Sequence, residues 1–125
     1  MTIIEKLIKK IEALDWSVEN DRNYYTIGKF SNAGQDFSFS VDVSDFLEED
    51  DNTAAELFIE AIHAEYDEYD PSYEAYLWLD GTGHGTNGAP YEMIDVYNDM
   101  VECQEMIYDL YNELRDYYYT EIYTE

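Results

Sequence analysis

Cysteine occurs once in the 125 residues, at Cys103. A single thiol excludes an intrachain disulfide and a zinc site built on thiolates, and it suits a reducing compartment. Histidine occurs only at His63 and His84, which leaves few bases for nucleophilic catalysis. Six basic residues face 30 acidic ones, too few cations to hold phosphates, so direct binding of DNA or RNA is not expected. No run of about 18 apolar residues is present, which argues against a membrane span. The first helix is expected almost from Met1 with charges inside it, leaving no room for a secretory core. The chain therefore reads as cytoplasmic, with no membrane contact.

What is abundant is acid and tyrosine. Hydrophobic residues make up 46% and aromatic residues 17%, with 14 Tyr, 5 Phe and 2 Trp. That is enough apolar material for a core, unlike a disordered acidic tail. A chain of this length suits one domain, residues 1–125. The formal net charge is -24, and self-repulsion on that scale destabilises a compact state. Its distribution is uneven. Residues 1–29 hold five acids and five bases (Lys6, Lys9, Lys10, Arg22, Lys29), whereas residues 30–125 hold 25 acids and only Arg115. A charged surface concentrated in the last three quarters of the chain is the expectation.

Thr2 can cap a helix over about 3–15, where Ile3, Ile4, Leu7, Ile8, Ile11 and Leu14 recur at helical spacing. Trp16 to Glu19, Tyr24 to Phe30 and Asp36 to Val43 read as strands, with turns at Asn20-Asp21 and Asn32-Ala33-Gly34. In the third, Phe37, Phe39, Val41 and Val43 alternate with polar residues, the pattern of a half-buried antiparallel strand. The run Glu48 to Asp51 precedes a second helix over about 53–69 with an inner stripe of Ala55, Phe58, Ile62, Tyr66 and Tyr69. Pro71 ends it, Tyr73 to Leu79 reads as a fourth strand, and a glycine-rich loop leads to Pro90 and a long C-terminal helix. There, Val96, Met100, Cys103, Ile107, Leu110, Leu114 and Tyr117 form a core seam. The order α-β-β-β-α-β-α implies an α+β domain: three helices on a small, mainly antiparallel sheet of about four strands.

Several motifs bear on possible chemistry. Gly83 to Gly88 spells G-x-G-x-x-G between a strand and a helix, but a dinucleotide fold needs a further parallel strand after that helix, where this chain ends. Asp80 to Gly85 is a poor calcium loop, because His84 and Tyr91 occupy ligand positions. Cys103 lies on the core seam, where a thiol behaves as a small hydrophobe. No carboxylate pair stands out for glycoside hydrolysis. Neither an enzyme nor a bound cofactor or metal is expected; a small enzyme using the Gly83 to Gly88 loop is the most distant alternative.

The acids themselves carry the functional reading. At ~100° per residue, Asp95, Asp99, Glu102, Glu105, Asp109, Glu113 and Asp116 fall on one flank of the last helix, and Tyr97, Tyr108, Tyr111 and Tyr119 on the opposite one. Residues 92–118 carry eight acids and one base, where salt-laced helices interleave Lys or Arg. With ~1.5 Å rise per residue, these acids come about every 5 Å, sparser than the ~3.4 Å phosphate spacing of a DNA strand. Glu56, Glu60, Glu65, Asp67, Glu68 and Asp70 of the second helix bring the density to a comparable scale if the two helices share a face. These thirteen side chains are the expected partner-binding residues.

The short chain, the acids concentrated on helices and the stretch Glu65-Tyr66-Asp67-Glu68-Tyr69-Asp70 resemble the small acidic DNA-mimic inhibitors of phages and mobile elements, of anti-CRISPR and antirestriction type. Phe30 to Phe39 and Leu77 to Pro90 also look like segments of small proteins of such elements. The resemblance implies a bacterial host cell, a basic nucleic-acid-binding partner such as a CRISPR effector or another defence nuclease, and inhibition by occlusion without chemistry. An immunity or antitoxin protein neutralising a cognate toxic nuclease is the alternative.

Overall fold

Helix α1 (Ile3–Ala13) begins with a reciprocal cap in which Thr2 and Glu5 each accept from the other's backbone N–H. Its apolar spacing puts Ile3, Leu7 and Ile11 into the core. The computed structural model describes residues 2–31, 36–46, 48–73 and 93–123. Within them the order is α1, β1 (Ser17–Asp21), β2 (Tyr24–Phe30), β3 (Asp36–Asp42), a 3-10 turn (Ser44–Phe46), α2 (Asp51–Glu68) and α3 (Met93–Tyr117). A π-helical turn, Tyr118–Ile122, closes the described chain. The fold is α+β, as expected.

The three strands form an antiparallel meander in which Val18, Ile27 and Phe39 stand side by side across the ladder, as do Tyr25 and Val41. That face packs under the helices. Its neighbours Ala55, Phe58, Ile59 and Ile62 from α2 and Ile107, Leu110 and Leu114 from α3 complete one core with α1. Trp16, immediately before β1, is buried and meets Phe37 and Phe39 edge-on, at 6.4 and 6.0 Å between ring centres.

Three expectations need correction. The first hairpin turns at Arg22-Asn23 rather than Asn20-Asp21, which pair as strand residues with Tyr25 and Tyr24. Arg22 takes φ 57°, and a positive φ at the first turn position matches the twist of a two-residue hairpin. The sheet has three strands among the described residues, not four. Most of the expected fourth lies outside them, and its first residue, Tyr73, sits in a helical turn at 71–73. Asp70 starts that turn: its carboxylate accepts from the N–H groups of Ser72 and Tyr73 at 3.0 and 3.3 Å. Asp-Pro thus acts as an N-cap with proline at the first helical position. Finally, the seam of α3 continues through Tyr118, fully buried four residues after Leu114, while Tyr117 is only half-buried. The glycine loop and the Asn32 to Gly34 turn lie outside the described residues.

Candidate functional site

The acids do three different jobs. Asp50 caps α2, accepting from the N–H of Thr53 at 3.1 Å and from its hydroxyl at 2.6 Å. Those bonds hold the Asp50 carboxyl below its usual range. Asp51 reaches across to α1 and accepts from the N–H of Ile3 at 3.0 and 3.3 Å. Two helix N-termini are thereby tied together by carboxylates, which the positive ends of helix dipoles favour. The acidic run at 48–51 is therefore partly architectural.

The second group is the acidic flank of α3. Glu105, Asp109, Glu113 and Asp116 are exposed and Glu102 is half-buried, whereas the side chain of Asp95 lies outside the described residues. Asp109 and Glu113 line a cleft of about 140 Å³ with Leu14, Trp16 and Lys29. In that cleft Lys29 lies 5.7 Å from the Trp16 ring and donates to the Leu14 carbonyl at 3.3 Å. Lys10 stands over Tyr117 at 5.5 Å. This flank thus faces the cationic α1 side of the molecule.

Asp99 departs from its expected place on that flank. It is 6% exposed, and among the described residues neither carboxylate oxygen has a hydrogen-bond partner. The reason is legible afterwards: Asp99, Cys103, Met106 and Leu110 follow one another at spacings of four, three and four, which is the core rhythm of a helix.

The third group lies on α2. Glu60, Asp67, Glu68 and Asp70 are exposed, Glu56 and Glu65 half-buried. Burial, and next the nearby Glu68, push the Glu65 carboxyl up. Glu56 and Glu60 line a groove between α2 and α3 with Ile59, Tyr111, Arg115 and Tyr119. Along the adjoining α2–α3 seam the His63 ring packs 4.6 Å from Tyr111, and Tyr66 packs 4.9 Å from Tyr108. Asp67 pairs with His63 at 3.3 Å. The α3 flank that meets α2 is thus the tyrosine flank, and the acidic flank looks elsewhere. The two helices do not merge their acids into one face.

Beyond the expected acids, the structure adds Tyr111 and Tyr119 as groove residues, and His63, Tyr66 and Tyr108 as rings of the adjoining seam. Helical spacing signalled that Tyr108, Tyr111 and Tyr119 share a flank, but not that α2 supplies the facing rings. Among the described residues no three His, Cys, Asp or Glu side chains are grouped to hold a metal ion, and no helix is long and apolar enough to cross a membrane. Compared with protein families, curated proteins and solved structures, the chain matches none. Any functional reading therefore rests on the residues themselves.

Proposed function

We propose that this protein is an acidic mimic of a nucleic-acid backbone that binds and inhibits a basic, nucleic-acid-binding defence nuclease. A CRISPR effector is the preferred target and a restriction enzyme the next, with inhibition by steric and electrostatic occlusion inside the host cytoplasm. One observation carries the reading: the exposed acids of α2 stand almost without cations, since His63 beside Asp67 at 3.3 Å is the one basic partner they meet among the described residues, while those of α3 face only Lys29 and Lys10. Unpaired carboxylates on a folded scaffold keep their field available to a partner, speeding encounter and fixing orientation. A net charge of about 2 to 8 already keeps a small domain soluble, so the -24 of this chain exceeds what a merely solvated face requires.

The direct test is displacement. Labelled duplex bound to a candidate nuclease is titrated with the protein and followed by anisotropy, beside a control of duplex with the protein alone. The expected result is release of duplex from at least one nuclease, weakening as salt is raised, with no sub-micromolar binding in the control. Binding of duplex by the isolated protein at physiological salt would remove the proposal.

A further inference from the structure

The two acidic surfaces differ in what accompanies the charge. Beside the α3 flank stand Lys29 and Lys10, which offset its field, and the apolar groups of that cleft belong to the core or pack against it. Among the described residues lining the α2–α3 groove the only basic side chain is Arg115, and His63 along the seam is held by Asp67 at 3.3 Å. Neither Glu56 nor Glu60 makes a hydrogen bond or ion pair among the described residues. The rings are accessible: Tyr108 is 43% and Tyr119 50% exposed, and Tyr66, Tyr111 and His63 are half-buried. Wet aromatic rings beside unpaired carboxylates are an unusual use of surface.

One side-chain chemistry matches both features. A guanidinium is planar and weakly hydrated, stacks on aromatic faces and pairs with carboxylates in a fork, whereas an ammonium is a strongly hydrated point charge. Proteins hold nucleotides by the same two contacts, arginine planes against bases and arginine forks on phosphates. We propose that the groove between α2 and α3 receives arginine side chains of the partner protein, each guanidinium stacked on an exposed ring of that seam and paired with Glu56 or Glu60. The inference rests on the nucleic-acid-mimic reading and deepens it: ring and carboxylate together stand in for base and phosphate. The α3 flank then contributes long-range attraction rather than contact.

The test compares two probes of equal length and charge, nona-arginine and nona-lysine, by calorimetry on the intact protein. The parent should favour the arginine peptide by several-fold, because both cations are drawn to the rings but only the guanidinium also stacks flat and forks onto a carboxylate. In Tyr108→Leu/Tyr119→Leu, which keeps apolar volume at two exposed positions and is checked for folding by a thermal melt, the ratio should fall toward one. Glu56→Gln/Glu60→Gln should weaken the arginine peptide more than Asp109→Asn/Glu113→Gln, although both pairs remove the same charge. A parent ratio near one, a ratio untouched by the tyrosine changes, or equal losses from the two charge pairs overturns the proposal. So does sedimentation showing a dimer that the tyrosine changes dissociate, because the groove would then be occupied by a second copy of the chain. An arginine preference that survives the tyrosine variant removes the groove and leaves the mimic reading intact. If that preference is lost in the tyrosine variant but no nuclease releases its duplex, the groove stands and the mimic reading fails.

Discussion

Two buried polar side chains set opposite expectations. Asp99 contributes a carboxylate with neither oxygen satisfied among the described residues, and burying a polar group without a partner costs about 1 to 3 kcal/mol, more when it is charged. Asp99→Asn should therefore raise the melting temperature while leaving partner binding unchanged; a lower melting temperature would show that the carboxylate has a stabilising role. Tyr118 is the reverse case, fully buried with its hydroxyl donating to the Asn52 side-chain oxygen at 2.9 Å. Burial, and then Glu56, push its phenol up to about 12. An exposed phenol ionises near pH ~10, so this contribution to stability is complete below ~10 and is lost as pH rises through about 12. Denaturant midpoints measured across that alkaline window should fall, and should fall less in Tyr118→Phe. That variant should itself cost about 0.5 to 1.5 kcal/mol at neutral pH for the missing hydrogen bond.

At the scale of elements, α3 separates scaffold from surface. Leu110 and Leu114 are buried in the shared core, so truncating either to Ala should cost about 2 to 5 kcal/mol through the cavity left behind. Asp109→Asn, Glu113→Gln and Asp116→Asn together should leave the melt unchanged or raised, because these side chains are exposed. Thermal melts of the four proteins decide it: destabilisation by the charge changes would show that the flank is structural. The seam of α3 and the alternation in β3 were legible because a period is a local property of the chain. The Arg22-Asn23 turn was not, since Asn20 and Asp21 carry turn propensity and only the pairing of Val18 with Ile27 overrides it. Nor was the groove, because which helix covers the tyrosine flank depends on packing between residues far apart in the chain, as in His63 with Tyr111.

For the molecule as a whole, charge should set the dependence on pH and salt. Hydrogen bonds from Thr2, Ser44 and Thr53 hold Glu5, Asp42 and Asp50 below the ordinary carboxylate range. Their contributions are present above the unfolded values near ~4 and are lost as pH falls through the lowered ones. Glu65, pushed up by burial, works the other way: its contribution is present below the unfolded value and is lost as pH rises through the raised one. With a net charge of -24 adding repulsion at neutrality, the melting temperature should rise from pH 7 toward 5 and fall again below about 4. Added salt should raise it at pH 7 and do least near pH 4, close to the isoelectric point of about 4.1. A melting temperature that drops steadily from pH 7 to 5 would mean that self-repulsion is not the controlling term. The unevenness of charge was plain in the sequence; its division into a cap, a compensated flank and a groove rim was not, because each assignment depends on what the carboxylate meets in space. One last consequence concerns how the groove is held. At one end of α2 the Tyr118 hydroxyl bonds Asn52, and at the other the Gln104 amide donates to the carbonyls of Tyr66 and Tyr69 at 3.4 and 3.0 Å. Pinned at both ends, the two helices keep their ring spacing before any partner arrives. Complex formation then forfeits little chain freedom, and its speed is governed by diffusion and orientation rather than by rearrangement.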